Sequence, residues 1–452
     1  MEVTAHAGTD GLRPLLARLD ERLLGSLTEL YLDLHRHPEL SGAESRTAGV
    51  LAARLAACGY DVTSGVGGHG VVGVLRNGEG PVVLLRTELD ALPVREDTGL
   101  RYASAAVATR ADGVREPVMH ACGHDAHIAA VAGAAALLAL AADRWRGTVT
   151  VVGQPAEETL SGAAALLADG LYRRWPRPDV ALAQHVGPAP AGLVLHAAGP
   201  VTAGAAFLEI RVRGRGGHGA MPGLSANPVP AAAAVALAVQ RAFAAPTVPG
   251  AEAVVPGADA VVVTVGALHG GSRPNVIPDT ATVSLGLRSL SGAALDAAVA
   301  EVAAIAGDAC AGAGCPGPEV RITARVPVQH NDPAAAARVL AAHRAALGAD
   351  RVLPTHPSMA AEDFPLYGAA DPAGGPEAAA ARVPTVYWAV GSTGGRRWAE
   401  AGGPGADPAD KLAALPVNHS PRFAPDPVPT LRTAVTAMAA AAWTFLGDLA
   451  DK

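Results

Sequence analysis

The chain has 452 residues and a formal net charge of −7 at neutral pH, and this length allows two or three domains with substantial cores. The negative charge disfavours nucleic acid or an anionic membrane surface as the main partner. Four cysteines do not make a disulfide framework in so long a chain, and neither a signal peptide nor a membrane span is evident, so we expect a reducing, cytoplasmic setting.

Predicted helices and strands alternate in the first half of the chain. The pattern predicts helices over residues 12–36, 44–58 and 126–142, and strands over residues 71–75, 82–86, 149–152 and 180–183. Such alternation is typical of an α/β fold with a mostly parallel sheet. In these folds ligands bind at the carboxyl ends of the strands, so the residues that follow each strand are the first candidates for chemistry.

A different pattern begins near residue 200. It predicts strands over residues 206–213, 261–268, 281–288 and 319–324, with helices over residues 231–244 and 293–311. The order β-α-β-β-α-β predicts a small antiparallel sheet with two helices. We therefore expect an inserted domain over residues 200–324, and a main domain formed together by residues 1–199 and 325–452.

Residues 119–127, with the sequence MHACGHDAH, hold the strongest local signal for chemistry. Cys122 and His124 bring a soft and a borderline donor to one place, where a divalent ion could bind both. A buried thiol beside a helix capped by Asp125 explains this pair equally well. Downstream, Glu157 and Glu158 follow a predicted strand, and a metal hydrolase needs both ligands and a spare carboxylate to move protons.

Three further residues have the right type and position for such a site. Asp90 and His185 follow predicted strands, and His419 lies in a predicted loop. Each histidine alone is also explained as a core or loop residue, and only the whole set favours a metal site.

Several motifs in order extend over almost the whole chain. They occupy residues 34–40 (LHRHPEL), 90–93 (DALP), 119–127, 154–158 (QPAEE), 216–218 (GGH), 275–278 (NVIP), 362–364 (EDF) and 419–423 (HSPRF). This series resembles the M20 family of metallopeptidases, specifically its amidohydrolase branch of N-acyl-amino-acid, hippurate and indole-acetyl-amino-acid hydrolases. The resemblance implies a mixed-sheet, zinc-peptidase-like catalytic domain with an inserted α+β lid that also dimerises.

The resemblance also implies a site with two divalent metal ions. The positions that match the family's ligands are Cys122, His124, Glu158, His185 and His419, with Cys122 as a bridging thiolate. Glu157 matches the catalytic carboxylate, and Asp90 matches an acidic position beside the site that orients His124. Mixed sulfur, nitrogen and oxygen donors favour Zn²⁺, with Mn²⁺, Co²⁺ and Ni²⁺ as alternatives.

In the inserted domain, the resemblance implies three residues that bind substrate. His218 would bind the substrate carbonyl oxygen in the neighbouring subunit's site of a homodimer, and Asn275 and Arg288 would contact polar groups of the substrate. The forked guanidinium of Arg288 suits a carboxylate, although a plain salt bridge on a lid strand explains it nearly as well.

The expected activity is hydrolysis of the amide bond of an N-acyl amino acid or a related small amide. A dipeptidase or N-carbamoyl-type hydrolase of the same fold remains an alternative, as does a binding protein that has kept the fold without catalysis. Departures from the family pattern at Glu88, Ser161 and Gly223 predict a reshaped edge of the site and a shifted substrate preference.

Overall fold

The computed structural model describes residues 11–110, 113–244, 257, 259–369 and 382–448. The chain divides into two compact units. The first contains the residues up to Gly199, His330–His356 and the residues from Asp363 onward, and the second contains Pro200–Gln329 and Pro357–Glu362. Among the described residues, no helix combines the length and the apolar composition that crossing a bilayer requires.

The helices of the described residues are mostly one to five turns long. They are α1 Leu12–Leu16, α2 Glu21–Arg36, α3 Ser45–Ala57, α4 His124–Leu140, α5 Gly162–Ala168, α6 Leu171–Arg174, α7 Pro228–Ala242, α8 Gly292–Gly312, α9 Pro333–Leu347, α10 Gly395–Glu400, α11 Pro408–Ala414 and α12 Pro427–Trp443.

The strands range from two to fourteen residues. They are β1 Asp61–Val66, β2 Gly70–Asn77, β3 Val82–Glu88, β4 Val107–Thr109, β5 Arg115–Pro117, β6 Trp145–Gln154, β7 Val180–Pro190, β8 Val194–Ala197, β9 Pro200–Arg213, β10 Gly217–His218, β11 Val261–Gly270, β12 Val276–Ile277, β13 Thr280–Ser289, β14 Glu319–Val326, β15 Gln329–His330, β16 Val352–Thr355, β17 Ser358–Ala361, β18 Thr385–Thr393 and β19 Gly447–Asp448.

The first unit is built on a mixed sheet with the strand order β1-β2-β6-β3-β7-β18-β8-β16. Its central strands β6, β3, β7 and β18 are parallel to one another. On one side β2 pairs antiparallel with β1 and β6, and on the other β8 pairs antiparallel with β18 and parallel with β16. The α/β fold class predicted from the sequence is therefore confirmed. Because the central strands are parallel and buried, their carboxyl ends meet at one edge, where the candidate chemistry lies.

Two alanine-rich helices, α4 and α12, pack together against α2 in the core of this unit. Small side chains allow this close approach: a Cβ on Gly133 of α4 would lie 2.6 Å from Leu27 and 2.7 Å from Val435. Leu27 and Val435 are themselves buried, and each such side chain stabilises the fold by about 1.5–3 kcal/mol. The packing fixes α4, whose first residue is His124.

The predicted helix over residues 12–36 is wrong as a continuous element. The structure has two helices, α1 and α2, separated by a short connection that ends at Asp20. Asp20 has an extended backbone with ψ of 173°, and its carboxylate accepts a hydrogen bond from the Leu23 N–H at 2.8 Å. This N-cap begins a new helix, because it satisfies a backbone donor that has no partner inside the helix.

The second unit contains an antiparallel sheet with the order β11-β13-β9-β14. The helices α7 and α8 pack together and against this sheet, where Leu208, Leu285 and Val302 are buried. The chain order β9-α7-β11-β13-α8-β14 agrees with the β-α-β-β-α-β pattern expected from the sequence.

A pair of buried histidines in the first unit generates a prediction about acid stability. His343 Nε2 donates to the Ala437 carbonyl at 3.0 Å, so its Nδ1 accepts from His196 Nε2 at 2.8 Å. Burial and the neighbouring His196 lower the pKa of His343 to about 3. Burial and Arg344 lower the pKa of His196 to about 4. Both rings are therefore neutral in the folded protein.

We expect the fold to lose stability as pH falls from about 6.5, the ordinary histidine pKa, toward about 4. In that window the unfolded chain binds protons that the folded chain does not, at about 1.4 kcal/mol per pH unit for each histidine. In His343→Gln, which keeps a donor and an acceptor, the midpoint of denaturation should depend less steeply on pH than in wild type. The control is His356→Gln, at an exposed histidine. Equal slopes in His343→Gln and wild type would contradict this account.

Candidate metal centre

Two loops that follow central strands of the first unit, and one central strand itself, carry acidic residues or a histidine. Asp90 lies two residues after β3, Glu157 and Glu158 lie just after β6, and His185 lies within β7. Since these strands are parallel neighbours, the loops after β3 and β6 come together beside His185 of β7.

Gly123 separates Cys122 from His124 and turns the chain sharply into α4. Its φ of 89° is left-handed, and a Cβ at this position would lie 2.5 Å from Val186 Cγ2. Glycine is the residue that tolerates both the conformation and the close approach. As a result, the thiol of Cys122 and the first imidazole of the helix lie side by side.

Only three non-glycine residues with positive φ occur in the described part of the chain, and all lie in candidate loops: Ala156 (51°), Leu160 (53°) and His419 (70°). Each such residue stores strain on the order of 1–3 kcal/mol unless its surroundings enforce the conformation. Strain of this kind clusters at functional sites. Here it flanks Glu157 and Glu158 on both sides and includes His419 itself.

Hydrogen bonds connect the His419 loop to the Cys122 loop. The His419 N–H donates to the Ala121 carbonyl at 2.8 Å. The side chain of Asn418 donates to the carbonyls of Cys122 at 2.9 Å and Val186 at 3.1 Å. These bonds hold three separate stretches of sequence in one place.

The five residues expected to bind metal converge in overlapping groups. The ligand atoms of Cys122, His124 and His185 lie within 4.8 Å of one another, and so do those of Cys122, Glu158 and His419. Cys122 belongs to both groups. A third group joins His124 to Glu157 and Glu158 on the same criterion, so the sequence-predicted ligands and the predicted catalytic carboxylate occupy one region.

The histidine tautomers leave lone pairs directed into this cluster. His124 Nδ1 donates to the Asp90 carbonyl at 2.8 Å, and His185 Nδ1 donates to the Val186 carbonyl at 2.8 Å. In each ring the other nitrogen, Nε2, is therefore unprotonated in the neutral form, which is the arrangement typical of metal-binding histidines. His185 Nε2 lies 3.3 Å from Cys122 Sγ.

Two buried polar atoms of the cluster, His124 Nε2 and Glu158 Oε1, have no hydrogen-bond partner within the described residues. Buried polar atoms without partners are rare in folded proteins and call for an explanation. A divalent cation accounts for both atoms, and thiolate, imidazole and carboxylate donors together suit such an ion. The residues present therefore fit a metal site.

The charged groups of the cluster are also consistent with a metal site. Burial raises the pKa of the Cys122 thiol well above its ordinary value, and the nearby carboxylates of Glu158 and Glu157 raise it further. Burial works to lower the pKa of His124, but its hydrogen bond with Asp90 and the carboxylates around it raise the pKa to about 10. Burial and the neighbouring His127 lower the pKa of His185. A surplus of acidic groups thus surrounds the thiol, and bound cations would compensate it.

Asp90 contacts both His124 and the Glu158 loop. Its Oδ1 lies 3.3 Å from His124 Nδ1, and its Oδ2 accepts bonds from the Ser41 hydroxyl at 2.7 Å and the Glu158 N–H at 3.0 Å. Burial works to raise the pKa of this carboxyl, but His124 lowers it, so the group is ionised.

A buried network behind the cluster involves Glu88, one of the departures from the family pattern. Glu88 pairs with Arg86, and its Oε2 accepts from His127 Nδ1 at 2.9 Å. His127 Nε2 in turn accepts the Val186 N–H at 2.8 Å, next to His185. Arg86 also donates to Asp363 at 2.9 Å. His127 has partners at both nitrogens, so it supports the site rather than offering a lone pair.

The three substrate-binding residues expected from the sequence lie in the second unit. His218 is exposed and pairs in register with Val276, next to Asn275, across β10 and β12. The Ala220 N–H donates to His218 Nδ1 at 3.0 Å, which leaves Nε2 as the protonated nitrogen of the neutral ring. Arg288 on β13 donates to the Met359 carbonyl at 3.1 Å and lies over the Phe207 ring.

Comparison with known proteins agrees with this architecture. The sequence model of peptidase family M20/M25/M40 matches residues 84–389 of the chain. A probable hydrolase of Synechocystis is 33% identical over 441 residues, which cover 96% of this chain and 99% of that protein.

Two further relatives come from Bacillus subtilis. An N-acetyl-L-cysteine deacetylase is 31% identical over 361 residues, which cover 78% of this chain and 79% of the deacetylase. A crystal structure described as a dinuclear metal-binding peptidase of the M20 family superposes with a TM-score of 0.65 and 25% identity, covering 93% of this chain and 98% of that chain.

Proposed function

Since the chain belongs to peptidase family M20/M25/M40 and is a hydrolase, we propose that it cleaves the amide bond of N-acyl amino acids or closely related small amides. The observation that carries this proposal is the convergence of five candidate ligand residues into two groups that share Cys122, with Glu157 beside them. The deacetylase relative acts on an N-acyl amino acid by its name, which supports the substrate class.

We propose that Cys122, His124, Glu158, His185 and His419 hold two divalent ions, with zinc preferred. Such ions, when bound, supply a Lewis acid that polarises the substrate carbonyl and makes a water acidic enough to attack at neutral pH. The chain provides a thiolate, imidazoles and a carboxylate, a mixture of donors that suits zinc. We propose a cytoplasmic location, where reducing conditions would keep the Cys122 thiol free to bind metal.

Glu157 is proposed as the general base and acid. It is 5% exposed, and its Oε2 lies 3.9 Å from His124 Nε2, at the edge of the ligand cluster. From there its carboxylate would accept a proton from the attacking water and pass it to the nitrogen of the leaving amine. Because Glu157 is buried, the proton would pass from the water to the amine through its carboxylate rather than through bulk solvent.

The second unit would bind the substrate's polar groups. His218, with Nε2 as a donor, suits the carbonyl oxygen as it gains negative charge. Arg288 is held by the Met359 carbonyl and the Phe207 ring, and its fork of donors suits the carboxylate of an amino acid. Asn275 lies beside the strand that pairs with His218 and would contact a second polar group.

The experiment that tests the proposed function is a turnover screen of the purified protein with metal analysis of the same sample. The panel contains N-acetyl and N-benzoyl amino acids, dipeptides and N-carbamoyl amino acids. We expect the highest kcat/KM for N-acyl amino acids, loss of turnover after chelation, and its return with Zn²⁺. A higher kcat/KM for dipeptides or N-carbamoyl amino acids would replace the proposed substrate class with that one.

Glu157→Gln should lower kcat by about 10²–10⁴-fold, because the amide cannot accept the proton. Its metal content should stay near that of wild type, since the proposed ligands are unchanged. Both quantities come from steady-state kinetics and elemental analysis, with Glu79→Gln, at an exposed carboxylate, as the control. If Glu157→Gln keeps most of its kcat, another residue moves the proton.

We also propose a homodimer through the second unit, in which His218 acts in the site of its partner. Glu157→Gln and His218→Ala should each be weakly active alone. Refolded or co-expressed together, they should recover about a quarter of the wild-type rate, because half of randomly formed dimers are mixed and each contains one intact site. No recovery, although mixed dimers are seen by mass spectrometry, would show that His218 does not act across subunits.

A further inference from the structure

We propose that Glu44 is a positioning residue that fixes the loop carrying the general base. This inference rests on the proposed function of Glu157. The sequence assigned Glu44 only to the start of a helix, and its contacts give it a different role.

Glu44 connects two stretches that are far apart in sequence. Its side chain is fully buried, and Oε1 accepts hydrogen bonds from the Gly42 N–H at 2.7 Å and the Ala156 N–H at 2.8 Å. Ala156 immediately precedes Glu157. The carboxylate therefore reaches directly to the backbone of the candidate catalytic loop.

The bonded amide belongs to a residue in a strained conformation. Ala156 has a φ of 51°, a left-handed value that alanine adopts only when its surroundings enforce it. The bond to Glu44 stabilises this conformation, because relaxation of Ala156 would break the hydrogen bond between its N–H and the Glu44 carboxylate. The direction in which the chain enters Glu157 depends on that conformation.

A second carboxylate holds the other side of Glu157. The Glu158 N–H donates to Asp90 Oδ2 at 3.0 Å, and Asp90 is in turn bonded by the Ser41 hydroxyl. The amides before and after Glu157 are thus each bound by a carboxylate. Both bonds depend on the segment between α2 and α3, which supplies Ser41 and Glu44.

The side chain of Glu44 does not cap the helix that it precedes, α3. Glu44 occupies the N-cap position of α3, yet its side chain makes no cap hydrogen bond. That task falls to Glu39, whose carboxylate accepts from the N–H groups of Arg46 at 3.1 Å and Thr47 at 2.8 Å. Glu39 therefore provides a matched control, an acid in the same segment that caps the helix without bonding the loop over residues 154–158.

The bond to Ala156 needs an acceptor oxygen and the length of the side chain, but not a negative charge. Glu44 Oε2 has no hydrogen-bond partner within the described residues. Glutamine preserves the acceptor and the length, aspartate preserves the charge but shortens the side chain, and alanine removes both. These variants separate positioning from charge.

The test measures kcat, KM, metal content and hydrogen exchange of the segment over residues 154–158 in Glu44→Ala, Glu44→Asp, Glu44→Gln and Glu39→Ala. We expect Glu44→Ala and Glu44→Asp to lower kcat by about 10–100-fold, because a misplaced base loses its near-attack geometry. Their KM and metal content should change little, and the Ala156 amide should exchange faster. Glu44→Gln should recover most of the kcat and most of the protection of the Ala156 amide from exchange. Glu39→Ala should leave kcat and this protection near wild type.

Several outcomes would overturn the proposal. They are unchanged exchange and kcat in Glu44→Asp, a Glu44→Gln variant as defective as Glu44→Asp, or a Glu39→Ala variant with the same losses. If Glu44→Ala does not fold, the contrast between Glu44→Asp and Glu44→Gln still decides. If the wild-type protein hydrolyses no amide, the proposed function fails by itself, and the exchange measurement alone decides the role of Glu44.

Discussion

The structure depends on a buried thiol placed among carboxylates. Cys122 lies in two overlapping ligand groups, and burial, together with the acids around it, raises the pKa of its thiol. Such a concentration of acidic groups in a buried place is unfavourable unless positive charge balances it. A pair of shared cations, as proposed above, would provide that balance, and the loops of the folded chain bring the candidate donors together.

This arrangement requires strained backbone conformations in the loops. The described non-glycine residues with left-handed φ flank or form the ligand loops, and Gly123 takes the same region between Cys122 and His124. Carboxylates and carbonyls then hold these loops in place: Asp90 and Glu44 bind the amides around Glu157, and the carbonyl of Ala121 binds the amide of His419. The site is therefore positioned by hydrogen bonds between loops as well as by the sheet.

Much of the fold follows from local sequence, whereas the proposed ligand set is what the resemblance to a family implies. Alternation of helices and strands predicts the α/β class, and the rule that ligands lie at the carboxyl ends of parallel strands points to Glu157 and His185. The break between α1 and α2 was not predicted, because the apolar periodicity continues across it. Only the N-cap at Asp20 marks the start of the second helix. The role of Glu44 could not be predicted either, since its partner Ala156 is close to it only in the folded chain.

We propose that two divalent ions share the Cys122 thiolate, and the remaining roles in the site depend on this. Anomalous X-ray diffraction at the zinc absorption edge, on crystals grown with zinc, tests it most directly. We expect two anomalous peaks for each chain, both at about 2.3 Å from Cys122 Sγ, with His124, His185, Glu158 and His419 completing their ligands. A single peak, no peak, or ions that leave Cys122 uncoordinated would contradict it.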